Sequence, residues 1–333
     1  MVEFTPPILI RGPHVQSVVA RVGLRRARVR AAAAPLLAAS EDIVADVGRG
    51  VRLLVHCTRP RQAANGRTVI ILHGWEGSAE ATYVLSLALR LWEEGYRIVR
   101  VDMRDHGDSH HLNEGLFHSC LLDEMIGAVE WVQTRYERDH IVMVGSSLGG
   151  NFALRIAARA PAAGLDIGRV VAVCPVIDPE QTMLALDNGS PLYKLYFMKR
   201  WQRSLELKKA AFPELYEFGD LGRFSTLEEM TGYFVRNYTE FPDLRTYLRG
   251  YALTGDRLAG LSVPSTMLLA EDDPVIPVAD IERIARPGCL RVRTTPSGGH
   301  CGFIVDYQLT SWSDQYVLDT LASDSRSLVA ESM

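Results

Sequence analysis

Val144-Gly145-Ser146-Ser147-Leu148-Gly149-Gly150-Asn151 is the stretch from which the rest of the chain can be read. It contains Gly-x-Ser-x-Gly at Gly145, Ser147 and Gly149. Five such residues recur by chance, so the flanks carry the argument. Residues 141–144 (Ile-Val-Met-Val) form a short apolar run of strand type, and residues 151–160 read as an Ala-rich helix. Strand, tight turn and helix together hold a serine in a strained conformation with its hydroxyl pointing out of a sheet. The flanking positions must lack bulk, which is the reason for glycine there. The first N–H groups of the following helix aim at the same point. Ser146 fills the intervening position and is expected to serve packing or hydrogen bonding. A phosphate-binding loop is excluded, because no Gly-Lys-Ser/Thr follows.

Working outward, short strand-like runs cover 51–57, 68–72, 98–102, 141–145, 170–174, 265–270 and 290–295. Helical spacing appears between them. Leu85, Leu89 and Trp92 mark residues 83–94, and Met125, Val129 and Val132 mark residues 121–136. Strands alternating with helices predict an α/β fold with a mostly parallel sheet covered on both faces. The rhythm breaks at residues 177–261, which are rich in aromatics, Leu and charge and hold no convincing strand. We read 1–176 and 262–333 as the core domain and 177–261 as a helical cap inserted between two strands. A separate helical domain fits less well, because the strand–helix rhythm resumes afterwards. The Ala/Arg-rich residues 20–39 read as a surface helix, with a basic membrane-surface helix as the alternative.

The 333 residues, 47% apolar and 23% charged, suit one large α/β domain with an insertion and a sizeable core. A net charge of −4 gives no reason to expect a nucleic-acid partner. The five cysteines are scattered and form no Cys-x-x-Cys pair, so neither a zinc site nor a redox motif is predicted, and a reducing compartment fits. The N-terminal residues lack a basic stretch followed by an apolar one, and no run approaches the ~20 apolar residues that cross a bilayer. A cytoplasmic protein is the simplest expectation.

A serine hydroxyl is a weak nucleophile until a base takes its proton, and the base needs an orienting carboxylate. In this strand–turn–helix setting the order along the chain is Ser, acid, His. After the strand at 265–270 comes Glu271-Asp272-Asp273-Pro274-Val275-Ile276-Pro277. A carboxylate at a strand's C-terminal end sits where such sheets place their sites. Asp273 is preferred, since Asp-Pro-Val-Ile-Pro resembles the Asp-x-Ile/Val-Val-Pro pattern around the acid in many such hydrolases; Asp272 is the alternative. After 290–295 comes Pro296-Ser297-Gly298-Gly299-His300-Cys301-Gly302-Phe303. Of nine histidines, His300 alone follows the acid. Cys301 is adjacent, but no second His or Asn partner suggests a cysteine nucleophile. Donors for an oxyanion are predicted at the N–H of Leu148 and, from the loop Leu72-His73-Gly74-Trp75-Glu76-Gly77-Ser78, at Trp75. Gly74 allows close approach, and the Trp75 ring would wall a substrate pocket. His73 ends a strand and precedes the acid, so it reads as structural. The dense polar segment holding His106, Asp108, His110 and His111 matches no zinc or di-metal spacing, and no metal is predicted.

Taken together, these motifs resemble the YheT-type branch of the α/β hydrolases, which also includes mammalian proteins related to lysophospholipid and phosphatidylcholine lipases. The matching pieces are Gly12-Pro13-His14-Val15-Gln16-Ser17, His73-Gly74-Trp75-Glu76-Gly77-Ser78, Arg104-Asp105-His106-Gly107-Asp108-Ser109, 145–151, 270–277 and 298–303. They span most of the chain in order, and the Pro-His-x-Gln element is the most branch-specific. Two departures stand out. Gly-Pro-His-Val-Gln-Ser replaces the usual Asn-Pro-His-Leu-Gln-Thr, and Arg-Asp-His-Gly replaces Arg-Gly-His-Gly. The resemblance implies the α/β-hydrolase fold, carboxylic-ester hydrolysis, a Ser147–Asp273–His300 triad, and neither metal nor organic cofactor.

The substrate clue lies in the cap. Residues 191–201 are aromatic and basic together, and all four lysines of the chain (Lys194, Lys199, Lys208, Lys209) lie within 194–209. Interfacial helices combine these features; so does a helix with one buried aromatic face and one solvated basic face. The expectation is short- to medium-chain acyl esters first and phospholipids or lysophospholipids second, with peripheral membrane contact through the cap as the accompanying alternative. An acyltransferase would use the same triad, and a non-catalytic binding protein of this fold is the reading from another class. The sequence leaves the oligomeric state open.

Overall fold

A computed structural model describes residues 3–62 and 64–323; the outer ends of the proposed core halves, at residues 1–2 and 324–333, lie outside them. Eight strands form one sheet in the order β1-β2-β4-β3-β5-β6-β7-β8. They are β1 (Ser40–Asp46), β2 (Arg52–Thr58), β3 (Arg67–Leu72), β4 (Arg97–Asp102), β5 (His140–Ser146), β6 (Ile167–Val173), β7 (Ser265–Ala270) and β8 (Leu290–Thr295). From β4 to β8 every pairing is parallel, and β2 alone runs against its neighbours. The expected α/β-hydrolase architecture is therefore present, with all seven predicted strands. β1 was not predicted. It is an edge strand carrying Glu41, Asp42 and Asp46, with only Ala45 buried. Charge on an edge blunts pairing with other chains, and it also hides the strand from a hydrophobic pattern.

Alternation along β3 shows how the sheet divides the core. Ile70 and Leu72 face one cluster, which also takes Met125, Val129 and Val132 of α5 (Leu122–Arg135) and Phe152 and Ile156 of α6 (Leu148–Ala163). Val69 and Ile71 face the other, built with Leu91 of α4 (Thr82–Glu93) and Tyr316 and Val317 of α11 (Trp312–Ala322). Three N-terminal helices precede the sheet: α1 (Pro13–Val19), α2 (Gly23–Ala32) and α3 (Ala34–Ala38).

Between β6 and β7 lie four α-helices and, among the described residues, no strand. They are α7 (Pro179–Asn188), α8 (Pro191–Ala211), α9 (Leu227–Tyr238) and α10 (Leu244–Gly250). The side chains of Asp178, Thr226 and Asp243 accept N–H bonds at the starts of α7, α9 and α10, which satisfies donors that every helix N-terminus leaves open. Leu186, Phe197, Leu205, Met230 and Phe234 belong to the same cluster as α5 and α6. The insertion thus shares a continuous core with the sheet, and Val235, Tyr247 and Leu248 add a small buried cluster of their own between α9 and α10.

Candidate active site

The parallel strands end along one edge, and the loops there converge on Ser147. This residue sits between β5 and α6 with φ +55° and ψ −120°, a strained conformation for a side chain with a Cβ. The strain is held by packing. A Cβ on Gly145 would collide with the backbone of Gly149, and one on Gly149 with the carbonyls of Leu72 and His73. Ser147 N–H donates to Val173 O at 2.9 Å, locking the turn to β6. Asn151, one turn into α6, donates from Nδ2 to Val176 O and Tyr251 O, both at 2.8 Å. The same residue therefore ties the elbow helix to the entry and exit of the insertion.

The structure brings the three predicted residues together. Ser147 Oγ lies 3.0 Å from His300 Nε2, and His300 Nδ1 lies 2.9 Å from Asp273 Oδ2. The other oxygen of Asp273 accepts the N–H groups of Val275 and Ile276 at 2.8 and 3.0 Å, so the carboxylate is both buried and fixed. Asp272, the alternative acid, instead accepts the N–H of Gly299 at 2.8 Å and braces the histidine loop. Burial alone would lower the pKa of His300, but the Asp273 carboxylate, with a smaller contribution from Cys301, outweighs it and raises the value above 6.5.

Around Ser147 the predicted donors are available. Leu148 N–H opens α6, and neither it nor Trp75 N–H has a hydrogen-bond partner among the described residues. Gly74 approaches so closely that a Cβ there would lie 3.1 Å from that of Ser147; its N–H donates to the Tyr83 hydroxyl at 2.8 Å. The Trp75 ring stacks on Phe197 of α8, with centroids 5.3 Å apart and planes at 12°. A cavity of about 120 Å³ lies beside Ser147 and is lined by Trp75, Leu148, Met183, Leu186 and Phe197, among others. Larger clefts exist, but the one of about 800 Å³ lies near Arg49, Glu130 and Arg159, away from Ser147.

Other polar residues of the region have structural tasks. His73 Nδ1 bonds Gly74 O and its Nε2 accepts Met103 N–H. His106 bonds Arg104 O and accepts Glu76 N–H. Burial lowers the pKa of both rings, so both are neutral fixtures. His110 Nε2 bonds the Ser204 hydroxyl at 2.8 Å.

The branch-specific N-terminal element has a task that no local pattern announces. Ser17 Oγ accepts His300 N–H at 2.8 Å and donates to Pro13 O at 2.7 Å. Gln16 exchanges two bonds with Ile304, through its Oε1 and Nε2. Helix α1 thus clamps the loop that carries His300. His14 Nδ1 meets the Tyr193 hydroxyl of α8 at 3.1 Å, so the same helix also touches the insertion.

With this geometry in hand, a family model described as the alpha/beta hydrolase family matches residues 69–309, more than half of the chain. The chain belongs to the alpha/beta hydrolase family. It is 25% identical over 260 residues to YheT of Escherichia coli, which is named as an esterase; the match covers 74% of this chain and 73% of that protein. It is 25% identical over 252 residues to YisY of Bacillus subtilis, named as an AB hydrolase superfamily protein, with 72% and 87% covered. Among solved structures, an esterase of Pyrococcus furiosus superposes with a TM-score of 0.55 at 16% identity, covering 97% of both chains. That likeness concerns the fold.

Proposed function

We propose that this protein hydrolyses carboxylic esters through an acyl-enzyme on Ser147. The observation that carries the reading is the hydrogen-bonded chain Ser147 Oγ–His300–Asp273, with the cavity beside the hydroxyl. His300 takes the Ser147 proton as the oxygen attacks the ester carbonyl. Asp273 holds the tautomer and stabilises the imidazolium. The N–H groups of Leu148 and Trp75 receive the oxyanion, the alcohol leaves with the proton from His300, and water repeats the cycle on the acyl-enzyme. A dry apolar cavity of roughly 150 Å³ holds a benzene-sized guest, so the cavity here favours a short to medium acyl chain. A p-nitrophenyl ester series of increasing chain length tests this. The expected outcome is a turnover maximum at short chains and a loss of about 10⁶ in kcat for Ser147→Ala, with fluorophosphonate labelling of the wild type alone. Near-normal turnover by Ser147→Ala would overturn the assignment.

A second observation favours esters presented at an anionic lipid surface. Residues 4–40 contain six arginines and no carboxylate, of which Arg25 is buried against Asp314 and Arg30 pairs with Glu80, and residues 189–205 contain four Lys or Arg and no carboxylate. The His14–Tyr193 contact joins these two segments. Within these segments Ile8, Leu9, Leu192 and Leu195 are 86%, 80%, 55% and 57% exposed. Apolar side chains among cations suit the headgroup boundary of a negatively charged leaflet. No helix of the described residues is long and apolar enough to cross a membrane, so any such contact is peripheral. Five free thiols favour a reducing compartment such as the cytoplasm.

A further inference from the structure

Two cysteines lie directly behind the Ser147–His300 pair, and the ester mechanism uses neither. Cys174 follows the last residue of β6, and Cys301 follows His300 in the chain. Both are buried, and both have positive φ, 45° and 55°. Each thiol points at the backbone beside the other: Cys174 Sγ at Gly299 O (3.9 Å) and Cys301 Sγ at Val173 O (3.7 Å). The two sulfurs and a ring nitrogen of His300 all lie within 4.8 Å of one another.

The two thiols are chemically unequal. A hydrogen bond from Cys174 pulls the Cys301 pKa down to about 6; burial opposes this, and His300 and Arg21 add to it. Burial pushes Cys174 up and keeps it protonated. A thiolate beside a protonated thiol is the arrangement of a nucleophilic cysteine and its resolving partner. A buried thiol with no approach would still be inert, but a cavity of about 20 Å³ reaches Cys301 between Tyr83, Ser146, Val173 and Gly302. That is room for one water-sized molecule.

We propose that Cys174 and Cys301 form an oxidative modification site, converted by peroxide to a disulfide that disables the Ser147–His300 pair. The inference rests on the ester reading above for its effect on activity. The Cys301 thiolate attacks one peroxide oxygen, forming a sulfenic acid and releasing hydroxide, which takes up a proton as water. The Cys174 thiol then attacks the sulfenic sulfur. The S–S bond forms, the S–O bond breaks, and a second water leaves. Two thiols lose two protons and two electrons, and one peroxide takes them up to become two waters. A disulfide holds its sulfurs about 2 Å apart, closer than any non-bonded contact. Closing that distance draws in Cys301, and with it the neighbouring His300, whose ring must meet Ser147 and Asp273 at once. A displacement of about 1 Å at such a group costs on the order of 10² in rate.

The test uses the full chain, reduced with dithiothreitol, desalted and treated with hydrogen peroxide. Peptide mapping without reductant is expected to show a Cys174–Cys301 cross-link lighter by two hydrogens, with Cys57, Cys120 and Cys289 still alkylatable. Ester turnover is expected to fall about 10²-fold and to return with dithiothreitol. Cys301→Ser should form no cross-link and lose none of its own reduced-state turnover to peroxide. Cys174→Ser should give no cross-link and leave Cys301 as a sulfenic acid that dimedone traps. Absence of the cross-link, or a cross-linked protein with undiminished turnover, overturns the inference. The cross-link is read by mass, so reduced protein that forms it yet lacks ester turnover overturns the ester reading instead.

Discussion

His300 is buried between a carboxylate and a hydroxyl, and the balance of those surroundings sets a measurable pH. A general base must be neutral to accept a proton. Burial disfavours the imidazolium, yet Asp273 at 2.9 Å favours it more, and the net shift is upward from 6.5. The sign follows. As pH falls, the ring protonates earlier than an ordinary histidine, so kcat/KM should decline through a midpoint above 6.5. In Asp273→Asn the opposing charge is gone, and burial should carry the midpoint below its wild-type position. Turnover in that variant should also drop by about 10⁴, because an amide no longer selects the productive tautomer. A pH–rate profile of both proteins measures this; a wild-type midpoint at or below 6.5 would contradict the assignment. Asp272, one residue earlier, binds only the loop backbone, and its Asn variant should leave the midpoint in place.

At the scale of elements, the departure from Arg-Gly-His-Gly finds its physical reason in a helix far along the chain. Asp105 stands at φ +57°, a conformation that glycine adopts without cost and a side chain does not. Its carboxylate meets Lys208 of α8 at 2.7 Å, and the ammonium also donates to Asn113 O and Gly115 O. Both side chains are buried, at 7% and 1% exposure. Burial pushes the pKa of Asp105 up and that of Lys208 down, and each partner's charge partly restores the other. The pair therefore fastens the insertion to the loop after β4. Removing one member leaves a buried charge without compensation, which costs about 3–5 kcal/mol. Lys208→Met should lose that much in urea unfolding. Asp105→Gly combined with Lys208→Met should recover most of it, since the double variant removes the orphaned charge and relieves the backbone strain. A double variant no more stable than Lys208→Met would show that the lysine acts through its carbonyl contacts alone.

For the molecule as a whole, what the sequence reveals divides by distance along the chain. Strands β2 to β8 and the turn at Ser147 are written in contiguous residues: apolar runs with glycine and proline breaks. The triad candidates could be found because their order and their positions after strand ends are constrained by topology. The α1 clamp was not legible as such. Gln16 and Ser17 act on residues more than 280 positions away, and no local period encodes that. The same limit applies to the cationic rim. Residues 191–201 read as an ordinary amphipathic helix when taken alone, and only the fold sets α1 beside α8; of residues 20–39, Arg25, Arg26, Arg28 and Arg30 lie on α2, which packs on α4 instead. Arg11 just before α1 and Lys194, Lys199 and Arg200 of α8 give that junction a local excess of cations on a protein of net charge −4. That asymmetry makes a directional prediction. An anionic vesicle should attract this rim and repel the rest, whereas a zwitterionic one offers only the apolar contact. Each Lys or Arg near an anionic leaflet contributes about 1 kcal/mol, screened within a Debye length. Co-sedimentation at low salt is therefore expected with phosphatidylserine-containing vesicles, to fall steeply between 50 and 200 mM salt (about a fourfold span of ionic strength), and to be absent with phosphatidylcholine alone. Lys199→Glu with Leu195→Asp should abolish it while p-nitrophenyl acetate turnover persists, because both side chains are exposed and line neither Ser147 nor its cavity. Equal binding to both vesicle types would assign the rim to apolar adhesion, and no binding to either would remove the lipid surface from the proposed function.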